Sequence, residues 1–69
     1  MKVSYYDVHV FYDRKNGFSS PIKIESDKTL TDEEVIEYAV NNEHIDSEDA
    51  RYVDNITEIC EDEYNQMIV

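Results

Sequence analysis

The sequence has one glycine, one proline, one cysteine and no tryptophan in 69 residues. Each scarcity removes a class of chemistry. With a single glycine there is no GxGxxG dinucleotide turn, no phosphate-binding loop and no GxSxG nucleophile elbow. A single cysteine excludes an internal disulfide and fits a reducing compartment or a domain indifferent to redox. No apolar run approaches the ~20 residues that span a bilayer, and the N-terminus lacks the apolar core of a signal peptide, so a cytoplasmic protein is expected. The chain reads as one domain, residues 1–69. At this length it buries only about 60% of the surface its unfolded form exposes, so the core is small.

Bases are also scarce, and unevenly placed. Net charge is −11. Residues 1–31 carry four acids against five bases; residues 32–69 carry thirteen acids against Arg51 alone. Such a field repels nucleic acid, whose binding depends on neutralising phosphates, and repels anionic membranes. It attracts a basic protein surface and speeds the encounter. Acidity also simply keeps a small protein soluble, as a monomer or weak homodimer.

Tyr, Val and Ile are plentiful, so the chain is expected to fold. "YYDVHVFY" alternates, with Tyr6, Val8, Val10 and Tyr12 on one face of a strand and Tyr5, Asp7, His9 and Phe11 on the other. Asn16-Gly17 accepts positive φ and marks a hairpin loop. "FSSPIKIE" returns as a second strand with Ile22 and Ile24 inward, and Pro21 places this part of it at an edge or at the strand's start. "LTDEEVIEYAVNN" is a helix. Thr31 caps it, Glu34 completes a capping box, Leu30 and Val35 form a hydrophobic staple, and Asn41-Asn42 ends it. Val35, Ile36, Ala39 and Val40 form its inward stripe, with Glu33, Glu34 and Glu37 toward water.

The pattern apolar, cap, two residues, acid, apolar recurs at Ile45–Ala50 and Ile59–Tyr64, which predicts two further short helix starts near 46 and 60. "YVDNITEI" must then be a third strand, since Asp54-Asn55 suits a helix interior poorly. Its apolar residues alternate imperfectly, because Ile56 and Ile59 are three apart and call for a bulge. The expected fold is α+β, ββαβα, with the sheet packing one face on the helices. The alternative is ββαα with one long C-terminal helix, because Val53, Ile56, Cys60, Tyr64 and Met67 also line one side of a helical wheel.

Catalytic readings are weak, and no catalytic, cofactor-binding or metal-binding residue is assigned. Cys60 is surrounded in sequence by Glu58, Glu61, Asp62 and Glu63, which favour the neutral thiol over a nucleophilic thiolate. It occupies a cap position where Ser or Thr often sits. His9 and His44 are too far from each other and from Cys60 for a zinc motif. An EF-hand reading of "DSEDARYVDNITE" places Asp46, Glu48 and Glu58 at or near ligand positions, but puts Ala50 and Arg51 where an oxygen ligand and a glycine are required. No pair of carboxylates stands out as acid and base.

Two features remain: the acidic surface that runs from Glu33 to Glu63, with Glu33, Glu34 and Glu37 as its candidate partner-binding residues, and an aromatic strip of Tyr5, His9 and Phe11. With the helices on one side of the sheet, that strip faces solvent and suits a protein interface, unless the final helix or a second copy covers it. "MKVSYYDVHVFY", "TDEEVIEYAV" and "ITEICEDEYNQMI" together resemble small uncharacterised acidic accessory proteins of bacterial conjugative elements or phages. The resemblance implies an accessory role in a mobile element and carries no active-site motif. The expected function is a non-enzymatic interaction module for a protein partner with a basic surface. The alternative is a nucleic-acid mimic that inhibits a DNA- or RNA-binding enzyme, its carboxylates standing in for phosphates.

Overall fold

The computed structural model of the chain describes residues 2–68. Its elements run β1 (Lys2–Phe11), β2 (Gly17–Ser26), α1 (Asp32–Asn41), a 3-10 turn (Asp49–Tyr52), β3 (Val53–Ile59) and α2 (Glu61–Met67). The three strands form one antiparallel sheet in the order β2-β1-β3. This is the ββαβα, α+β arrangement.

The alternation in β1 places Tyr6, Val8 and Val10 in the core and leaves Tyr5, Asp7 and His9 half-buried on the other face. Across the ladder Tyr6 lies opposite Ile22, and Val8 opposite Ile56. Val35 and Ala39 of α1 close over these residues. Each fully buried aliphatic side chain contributes about 1.5–3 kcal/mol. Pro21 lies within β2, an edge strand, where its missing N–H need not interrupt a central ladder.

The hairpin forms, but not as Asn16-Gly17 alone suggests. Neither residue has positive φ. The turn is organised by Asp13, whose carboxylate accepts from the backbone N–H of Lys15 (2.8 Å) and Asn16 (3.0 Å) and from the Asn16 amide group (3.0 and 3.1 Å). An Asp side chain that bonds the backbone ahead of it mimics a backbone turn, so positive φ is not needed. The Asn16 side chain first, then the Lys15 amide, holds the Asp13 carboxyl below its usual pKa.

Helix α1 starts as its sequence specifies. The Thr31 hydroxyl accepts from the Glu34 N–H (3.2 Å), and the Glu34 carboxylate accepts from the Thr31 N–H (3.1 Å). At the other end Glu43 has φ 61°, the one positive φ outside glycine among the described residues. The N–H groups of His44 (2.8 Å) and Ile45 (3.3 Å) then both donate to the Ala39 carbonyl. This reversal drops Ile45, 4% exposed, into the core. Ile45 reads in the sequence only as the lead residue of the next helix start, and Tyr38 as neither core nor site; both pack on the core. A left-handed backbone costs a side-chain-bearing residue about 1 kcal/mol that glycine escapes. Glu43→Gly is therefore expected to raise stability by up to about 1 kcal/mol, read as a higher midpoint in chemical denaturation.

Residues 52–59 form a strand rather than a helix, apart from Tyr52, which ends the 3-10 turn. The expected bulge lies elsewhere than between Ile56 and Ile59. The register shifts between His9, opposite Asn55, and Val10, opposite Val53, leaving Asp54 as the extra residue. That insertion lets Val53 and Ile56, three apart, both reach the core face. Ile59 instead points to the other face, opposite Tyr5.

Helix α2 follows Ile59 to that other face. Tyr64 meets Tyr5 with ring centroids 4.9 Å apart, and Tyr5 alternates with the core residue Tyr6. The two helices thus lie on opposite faces of the sheet, not together on one. Tyr12 and Met67 are each 37% exposed and do not belong to the core, while Ile36, Ile59 and Tyr64 are half-buried.

Candidate functional site

The sheet separates the two candidate surfaces. Glu33, Glu34 and Glu37 stand on α1, which covers one face; Tyr5, His9 and Phe11 lie on the face that carries α2. They make two surfaces rather than one site.

Helical spacing puts Glu33 and Glu37 one turn apart, and both are exposed. Glu34 is already engaged. Besides its cap bond, its carboxylate takes the Lys28 ammonium at 2.8 Å. Lys28, and after it the Thr31 N–H, holds the Glu34 carboxyl below its usual pKa, while Glu34 raises that of Lys28. Beside this pair a groove of about 300 Å³ runs between the end of β2 (Ile24, Ser26) and Leu30, Glu34, Glu37 and Tyr38.

On the other face the aromatic strip is partly covered. Tyr5 is half-buried under Tyr64, so it is a packing contact of α2. His9 and Phe11 lie beyond α2's Tyr64 contact, ring centroids 6.5 Å apart, and Phe11 is 45% exposed. His9 Nδ1 is 3.7 Å from the carboxylate of Asp54, the bulged residue. A second groove of about 300 Å³ joins His9 and Phe11 to the basic turn residues Arg14 and Lys15. Asp7, between Tyr5 and His9, keeps one carboxylate oxygen buried without a hydrogen-bond partner among the described residues. Its neighbours across the two ladders are Pro21, which has no N–H, and Thr57, whose hydroxyl accepts from the Asn55 side chain.

A second aromatic cluster was not evident in the sequence. Tyr12 contacts Phe18 (6.2 Å) and Tyr52 (5.1 Å), and its hydroxyl donates to the Asp49 carboxylate. This bond, chiefly, pushes the Tyr12 phenol up to about 12. The contacts pin the hairpin turn to the 3-10 turn. The alternation of β1 correctly puts Tyr12 on the core face but does not show that the core ends at Val10. No local spacing links Tyr12 to Tyr52.

Cys60 does start α2, in an extended conformation (φ −88°, ψ 167°), but its side chain caps no backbone N–H. The exposed thiol instead lies 4.0 Å from the Glu63 carboxylate. The exposed His44 stacks on Tyr38 at 6.3 Å. Among the described residues no group of three or more His, Cys, Asp or Glu is placed to hold a metal ion, and no helix is long and apolar enough to cross a membrane. No family model matches the chain, and no curated protein or solved structure matches it.

Proposed function

We propose that this chain is a non-enzymatic interaction module that docks through its acidic half onto a basic surface of another protein. The observation that carries the reading is the charge distribution: thirteen acids and one base over residues 32–69. Glu33, Glu37, Glu61, Asp62 and Glu63 stand exposed on helices at both faces of the sheet, so the negative field surrounds much of the domain. A field of that breadth accelerates capture of a basic partner and disfavours anionic ones. The resemblance to accessory proteins of conjugative elements and phages supports a cytoplasmic role in a mobile element.

The test is a tagged pull-down from host lysate at low and high salt. The expected result is one enriched protein, lost at high salt and lost when Glu33, Glu34 and Glu37 are all changed to Gln. If that partner is a nucleic-acid enzyme and duplex DNA or RNA displaces it, the mimic reading replaces a general docking role. Phe11→Ala probes the aromatic surface. Tyr5→Ala does not, because it also removes the contact with Tyr64. A partner that survives high salt and the triple substitution but is lost on Phe11→Ala would move the site to the other face. No enriched partner at either salt would overturn the proposal.

A further inference from the structure

We infer that the outer edge of β2 from Ile22 to Ser26, with the groove beside it, takes an extended basic segment of a partner protein as a fourth strand. The inference rests on the interaction reading above and names the chemistry of the segment bound.

Three independent features of the structure meet here. First, β2 pairs only with β1 among the described residues, so its outer N–H and C=O groups form an unpaired edge, which is a template for strand addition. Pro21 blunts the half of the strand nearest the hairpin, whereas Ile22–Ser26 contains no proline. The other outer strand, β3, is broken by the bulge at Asp54, which interrupts its edge, whereas Ile22–Ser26 pairs in unbroken register although it carries the exposed charges Lys23 and Glu25.

Second, the groove of about 300 Å³ opens along this same stretch, between Ile24 and Ser26 of β2 and Glu34, Glu37 and Tyr38 of α1. It has room for a long side chain. Ile24, Leu30 and Tyr38 offer an apolar surface for the alkyl stem of Lys or Arg, with the charged head left at the rim.

Third, the rim already binds an ammonium. Lys28 Nζ sits 2.8 Å from Glu34 Oε2, one side of the groove. Glu37, one turn nearer the middle of α1, is exposed and has no such partner among the described residues, so an incoming cation finds a carboxylate there. Successive residues of an added strand point to opposite faces. Every second side chain therefore meets the groove, and the recognised pattern is a basic residue alternating with a residue free to be apolar.

The experiment uses the full chain, isotopically labelled, titrated with an end-blocked peptide that alternates lysine and valine. Saturable amide shifts concentrated at Ile22–Ser26 and Glu34–Asn41 are expected. The same peptide with alternate backbone amides methylated keeps its side chains but loses edge hydrogen bonds, and should bind about tenfold weaker. Glu37→Lys, a change at an exposed position, should weaken binding of the unmethylated peptide, whereas Asp62→Lys on α2 should do so much less. Equal binding of the methylated peptide, or shifts spread evenly over Glu61–Glu63 as well, would overturn the inference. Either result leaves the interaction reading standing if the triple Gln variant still loses its lysate partner. Loss of both results would remove the two together.

Discussion

Val35→Asp and Ala39→Asp are each expected to abolish the folded state. Val35 is 1% exposed and Ala39 0%, both on the α1 face that closes over Tyr6, Val8 and Val10. No polar or charged residue is buried among the described residues, so none lies in the core to pair with a new charge. A new carboxylate there would be an unpaired buried charge or a neutral acid without hydrogen-bond partners, and either costs several kcal/mol. A domain of this size has roughly 3–10 kcal/mol of stability in all. Circular dichroism should show no cooperative melting transition for either variant. Glu33→Ala, exposed on the same helix, should shift stability by no more than about 0.5 kcal/mol. Wild-type melting of either Asp variant would mean that α1 does not cover the sheet as described.

Gly17→Ala is expected to destabilise the domain by about 1–3 kcal/mol, a fall of several degrees or more in melting temperature. The glycine does not serve a positive φ, since none of the described glycines has one. It serves a close approach. A Cβ at position 17 would lie 2.6 Å from the Val10 carbonyl oxygen and 3.4 Å from the Phe11 Cα. Both are backbone atoms of the paired strand, so relief requires moving the end of β1. Val10, fully buried, anchors that end. Ser19→Ala, exposed on the same strand, provides the control and should be near neutral. A melting temperature for Gly17→Ala equal to that of the control would show that the hairpin end yields freely.

Where local chemistry decides, the sequence is legible. Thr31 and Glu34 cap α1 as their spacing requires, because both bonds close within one turn. The break at Cys60 is legible in part: an apolar residue, a cap position and an acidic first turn are adjacent in the chain, but no cap bond forms there and the helical stripe from Val53 to Met67 also reads as one long helix. The hairpin is predicted at the right place, yet its mechanism is not, since the Asp13 side chain does the work assigned to Asn16-Gly17. Of the candidate surface residues, exposure of Glu33 and Glu37 follows from helical periodicity. The engagement of Glu34 by Lys28 and of Tyr5 by Tyr64 does not, because each depends on where a separate segment comes to rest.

The sequence by itself determined the hairpin, the first helix and the lopsided charge, because periodicity, caps and composition act over a few residues; between a third strand with a short helix and one long C-terminal helix the tertiary structure decided. Only the tertiary structure decided which face each helix covers. For α2 that choice follows from the inward placement of Ile56 opposite Val8: regular alternation then brings Ile59 out opposite Tyr5, while the extra residue at Asp54 lets Val53 face inward as well. Helix α2 therefore begins on the far side of the sheet. The packing of α1 on the core face separates the acidic surface from the aromatic one, and the strand order β2-β1-β3 leaves the β2 edge open beside a groove. A bulge that shifts side chains between faces is settled by the packing of all three strands at once, and no short stretch of sequence contains that information.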